Sequence, residues 1–126
     1  MCPSFEEQWA RCAPWLEGAL HRGGDTLTLA MVRTRIGEGQ YQFWPAPAGA
    51  VVTQVIHGET EKEFNILLAG GTLDQLEEMM PSLEAFGRAQ GCVLFTVLGR
   101  RGWERTFLCQ RFGYAPVATL YGKREA

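Results

Sequence analysis

FNILLAGGTLDQLEEMM, residues 64–80, changes its hydrophobic period in the middle. Its first six residues form a continuous apolar run of the kind buried in a sheet. Gly70 and Gly71 close that run. Thr72 and Gln75 then stand at capping-box spacing, and Leu73, Leu76, Met80 and Leu83 recur every three or four residues, which predicts a helix. Pro81 interrupts the pattern, so this helix either bends there or gives way to a second short one that ends near Gln90 and Gly91. CVLFTVL, residues 92–98, is a second wholly apolar strand. A strand, a helix and a strand in this order make a right-handed parallel crossover.

Upstream of the crossover the chain reads as an antiparallel meander. YQFW (41–44) and AVVTQVIH (50–57) are β-branched and aromatic runs separated by a proline- and glycine-containing turn, and the polar GETEKE (58–63) leads into FNILLA. Two helices come first. Ser4 and Glu7 have capping-box spacing, with Phe5, Trp9, Cys12 and Leu16 at helical intervals and Pro14 placed to kink or divide the helix. Asp25 or Thr26 caps a second helix carrying Leu29, Val32, Arg33 and Ile36. Downstream, Trp103–Phe112 reads as a helix ended by Gly113, and Ala115–Tyr121 as a last strand. The expected fold class is α/β, an α+β mixed sheet: N-terminal helices, an antiparallel meander leading into a βαβ crossover, then a terminal helix and strand.

A chain of 126 residues suits one core, so residues 1–126 read as a single domain. The apolar share of 46% and charged share of 21% are those of a globular chain and give no support to disorder. No run reaches the roughly 18 apolar residues of a membrane helix, and the acid-containing N-terminus does not resemble a signal peptide, so the expectation is cytoplasmic with no membrane partner. Cys2, Cys12, Cys92 and Cys109 form no CxxC pair, and His21 and His57 are isolated, so neither a metal site nor a disulfide is expected. From Arg100 onward six basic side chains face two acids, yet the whole chain carries a formal charge of −2. That balance, without an aromatic and basic recognition motif, argues against nucleic acid as a partner.

The order of elements and the last sixty or so residues resemble the GNAT superfamily of acetyltransferases. The resemblance implies that FNILLA and CVLFTVL are the two parallel strands that splay apart to admit acetyl-CoA. The superfamily's pyrophosphate loop, R/Q-x-x-G-x-G/A, corresponds to AGGTLDQ (69–75), so the cofactor-binding candidates are Gly70, Gly71 and Thr72. The match is incomplete. No Arg or Gln leads a G-x-G, and Asp74 puts a carboxylate where phosphates would need positive potential; the plain structural alternative is a tight turn with Thr72 as N-cap. Arg100 and Arg101, in GRRGW at the carboxyl end of the second parallel strand, could clamp a phosphate or simply make a soluble turn.

The family's L-Y-x-x-x-G-F ending corresponds to LCQRFGY (108–114). Gly113 and Tyr114 match its Gly-Phe, and Cys109 stands where the family has its proton-donating tyrosine; packing is the alternative for this thiol. Glu61 and Glu63 are the candidates for a general base, with solvation in a charged loop as the alternative.

QFW, VVTQVIHG, ILLAGG, GCVLFTVLGRRGW and FGY together resemble small GNAT-like proteins of bacteriophages and prophages, often encoded among virion genes. That resemblance implies a phage or prophage accessory or virion-associated protein, in the host cytoplasm or the virion, that contacts protein partners and has a degenerate active site without efficient acetyl transfer. The alternative is an acyl-CoA-dependent N-acetyltransferase with a nonstandard acetyl-CoA site.

Overall fold

A computed structural model of the protein describes residues 3–22, 26–98, 106–117, 123 and 125. In chain order the described elements are α1 (Phe5–Arg22), α2 (Leu29–Gly37), β1 (Tyr41–Ala46), β2 (Gly49–His57), β3 (Lys62–Gly71), α3 (Leu73–Ala89), β4 (Leu94–Val97) and α4 (Phe107–Gln110). The strands form one sheet in the order β1-β2-β3-β4. β1, β2 and β3 are antiparallel neighbours and β3 pairs with β4 in parallel, so the meander leads into a crossover through α3 as the sequence pattern predicts.

The two faces of the sheet bury different clusters. On one, α1 and α2 bring Trp9, Cys12, Leu16, Leu20 and Val32 onto Tyr41, Ala50, Val52 and Leu68. On the other, Leu76, Met80 and Leu83 of α3 and Phe107 and Leu108 of α4 pack against Val51, Phe64 and Ile66. Side chains alternate along a strand, which is why adjacent residues such as Val51 and Val52 serve opposite clusters. Burying a Leu or Phe of this kind stabilises by about 1.5–3 kcal/mol.

One irregularity shapes the centre. Val52 pairs with Leu68 but Thr53 pairs with Ile66, so Leu67 is an extra residue on β3, a β-bulge. The bulge shifts the alternation: Ile66 faces α3 before it, Leu68 faces α1 after it, and Ala69 returns to the α3 side. Pairing of β3 with β4 ends at Ile66 and Val97, with a last bond from Leu98 N to Ile66 O, while β3 continues to Gly71. The ladder of the two parallel strands thus stops beside the bulge.

Several local expectations are corrected. β4 covers only Leu94–Val97 of CVLFTVL (92–98). Of the two outcomes expected at Pro14, division does not occur: α1 remains a single helix, because Pro14 and Ala10, whose carbonyl it deprives of a partner, both lie on the exposed side. α3 likewise continues through the exposed Pro81 to Ala89. The N-cap of α2 is Thr28, whose hydroxyl accepts from Met31 N at 3.1 Å; Thr26 lies before the cap, and Asp25 is outside the described residues. β3 starts at Lys62, so the polar connection is shorter than GETEKE and closes through Gly58 N donating to Glu61 O. The terminal helix is helical only over Phe107–Gln110 within its described part, with Thr106 as N-cap. Residues 115–117 are not in a strand, and the rest of that expected strand lies outside the described residues.

Candidate functional site

The junction between β3 and α3 is where the family resemblance puts the cofactor phosphates. β3 ends at Gly71 and α3 begins at Leu73, so Thr72 alone joins strand to helix. The stretch that corresponds to the phosphate-loop pattern, residues 69–75, thus falls on the end of β3, on Thr72 and on the first turn of α3. Thr72 caps α3, its hydroxyl accepting from Gln75 N at 3.1 Å, and its own N–H donates to Ala48 O at 3.0 Å in the β1–β2 turn. The side chain of Gln75 accepts from Ala48 N at 3.1 Å instead of returning to Thr72. Two N–H groups at this helix start are therefore satisfied from within the chain.

The glycines are occupied in the same way. A Cβ on Gly70 would lie 2.6 Å from the carbonyl oxygen of Trp15 in α1, and one on Gly71 would lie 2.3 Å from Ala48 O and from Gly49 Cα. Gly71 also has φ +118°. Their missing side chains let α1 and the β1–β2 turn seat against the end of β3. Asp74 is in the first turn of α3 and exposed.

A polar row crosses the other half of the sheet. Gln54, Asn65 and Thr96 are direct cross-strand neighbours on β2, β3 and β4. Gln54 Nε2 donates to Asn65 Oδ1 (3.1 Å), Asn65 Nδ2 donates to Thr96 Oγ1 (2.9 Å), and Thr96 Oγ1 donates to Glu63 Oε2. Every donor in the row points toward the carboxylate, which is half-buried inside β3. Glu61, by contrast, is exposed in the turn. The geometry thus separates the two candidate bases. Gln54, Asn65 and Thr96 were missed by sequence reasoning, although Asn65 and Thr96 each interrupt an otherwise apolar run by a single polar residue and Gln54 follows Thr53 within another.

On the α3 side, an apolar cavity of about 20 Å³ lies where β3 and β4 stop pairing, roofed by Phe107 and Leu108 of α4. Cys109 follows them, half-buried. Tyr114 is fixed by donating from its hydroxyl to Glu84 Oε2 at 2.8 Å. Burial, then the hydrogen bond and charge of Glu84, push its phenol well above the ordinary tyrosine range, so it holds its proton. Arg100 and Arg101 lie outside the described residues. Among the described residues no cluster of three or more His, Cys, Asp or Glu could hold a metal ion, and no helix is long and apolar enough to cross a membrane.

Solved structures share this architecture. A crystal structure of a probable acetyltransferase superimposes with a TM-score of 0.66 at 8% identity, covering 98% of this chain and 95% of the other. The fold is GNAT-like. A variant of TTHA1254 from Thermus thermophilus matches this GNAT-like domain with a TM-score of 0.65 at 14% identity, covering 99% of this chain and 97% of that one. No protein-family model and no curated protein matches the sequence. At these identities the likeness establishes the fold alone.

Proposed function

We propose that this GNAT-like domain acts through protein contacts, as a phage or prophage accessory or virion-associated protein, without efficient acetyl transfer. One observation carries the loss of transfer: the direct β3–α3 join, whose helix start is sealed by the β1–β2 turn through Thr72, Gln75 and Ala48. Phosphates gain affinity at a helix N-terminus from free N–H groups and positive potential. Here two of those N–H groups are engaged and Asp74 adds negative charge. The phage context is supported by the sequence resemblance.

Acetyl-CoA should accordingly bind with a dissociation constant in the millimolar range or above, about −4 kcal/mol or weaker. Thermal unfolding with and without it is the test. At about 100 micromolar the melting temperature should stay unchanged, because a ligand below its dissociation constant stabilises by less than RT ln 2, roughly 0.4 kcal/mol. A concentration-dependent rise that Arg100→Ala with Arg101→Ala abolishes would overturn the reading.

The row ending on Glu63 favours a second reading, an acyl-CoA-dependent N-acetyltransferase with a nonstandard site. In it the carboxylate oriented by Thr96 takes the proton from an acceptor amine as that amine attacks the thioester carbonyl, and the C–S bond then breaks to release the CoA thiolate, which takes up a proton from solvent. Glu63→Gln would then lower kcat at least about a hundredfold in a protein with unchanged stability.

A further inference from the structure

FNILLA (64–69) holds one polar side chain, Asn65, and CVLFTVL (92–98) holds, Cys92 aside, only Thr96. The structure sets these two opposite each other. Asn65 and Thr96 are ladder partners of β3 and β4, and the Asn65 amide, 7% exposed, donates to Thr96 Oγ1 at 2.9 Å while accepting from Gln54 Nε2 at 3.1 Å.

The apolar pattern does not by itself select this pairing. A one-residue slip of β4 would turn Phe95 and Val97 out of the α3 layer, so burial excludes it. A slip of two residues keeps every side chain on its own face and restores the even spacing of the parallel bonds. Val93 and Val97 lie two places from Phe95, and Leu94 and Leu98 two places from Thr96, so apolar still meets apolar after such a slip. What it loses is the Asn65 bond. Leu94 or Leu98 comes opposite the buried amide, which is left with a donor and no acceptor, and Thr96 leaves its place between Asn65 and Glu63. One apolar contact competes for the same role: Phe95 lies over Gly87, where a Cβ would come within 2.6 Å of its ring.

We infer that Asn65 sets the register of β4 and so positions Thr96 on Glu63. It is a positioning residue whether or not that carboxylate acts on a substrate. Backbone NMR of the full chain is the test. Asn65→Leu should give Leu94–Val97 a second set of amide resonances, at about a tenth or more of the total intensity, in which position 65 contacts the backbone of Leu94 or Leu98; the β1–β2 amides should stay single. Thr96→Val should do the same, and Thr96→Ser, which keeps the hydroxyl, should not. This second pair carries the test if Asn65→Leu does not fold. A single set in the folded variants, with position 65 still opposite position 96, would assign the register to Phe95 and Gly87. Doubling without the shifted contacts, or doubling in Thr96→Ser as well, would show β4 fraying instead of sliding and would equally overturn the inference.

Discussion

Ala48 N and Gln75 Oε1 meet at 3.1 Å, so the side chain spaced to close a capping box on α3 instead holds the β1–β2 turn against the helix start. Removing it leaves a half-buried N–H without its acceptor. Gln75→Ala should cost about 1–2 kcal/mol, read as a lower urea midpoint at constant slope, whereas Gln75→Glu keeps an acceptor and should lose less. If Gln75→Ala changes stability by under about 0.3 kcal/mol, water replaces the amide and the seal contributes nothing.

Gly70 and Gly113 should respond differently to alanine. At Gly70 the new methyl meets the α1 backbone at Trp15, which cannot rotate away, so the helix must back off at a cost of about 2 kcal/mol or more. Gly113 has φ +77° with nothing within 4 Å of the added carbon, leaving only the left-handed strain of about 1 kcal/mol. Equal losses in the two variants would contradict the close approach of α1 to β3.

Stability should fall in alkali. Burial raises the thiol of Cys12 above its ordinary 9.0, with Arg11 and the Ala46 backbone opposing, and Tyr114 lies well above its ordinary 10.0. The unfolded chain releases these protons first, so the folded state binds more of them as pH rises. Their stabilising contribution is complete below about pH 8 and is lost progressively as pH climbs through 9 and 10. Denaturant midpoints at about pH 7, 9 and 10.5 should decline in that order for these groups, and Tyr114→Phe should flatten the last step.

Cys109 is half-buried while Cys12 and Cys92 are buried, so a thiol reagent on the native protein should label Cys109 before those two. Cys109→Ala should leave the fold intact and, if any acetyl transfer is detected, reduce it by less than about tenfold, roughly 1.4 kcal/mol of barrier. A hundredfold loss in a folded variant would give the thiol the proton-donating role of the family's tyrosine.

The parts of the fold that sequence made legible are those in which one period dominates. FNILLA and the centre of CVLFTVL had no competing pattern, Gly70 and Gly71 marked the end of a strand, and Thr72 marked the start of a helix. The prolines left two outcomes open, and the structure excludes division: both helices continue through Pro14 and Pro81, whose cost depends on whether the orphaned carbonyl reaches water, which spacing alone does not reveal. The cap of α2 is Thr28, one of three cap-forming residues, Asp25, Thr26 and Thr28, that spacing alone does not rank.

The site was less legible. Gly70 and Gly71 look the same in sequence whether their open space receives a phosphate or another stretch of backbone, and only the positions of Trp15 and Ala48 decide. Glu63 was visible as a carboxylate but not as the end of a directed row. The residues that orient it come from three strands, and their alignment depends on register.

That register carries a parity. With Leu67 as the odd residue, β3 supplies Phe64 and Ile66 to one layer and Leu68 to the other, so the two halves of the strand are written in opposite phase. Deleting Leu67 would force one half to deliver its side chains to the opposite layer, and adding one residue elsewhere in β3 would do the same. Length changes in the lineage of this domain should therefore collect in the Gly58–Glu61 turn, and the strand itself should change by substitution.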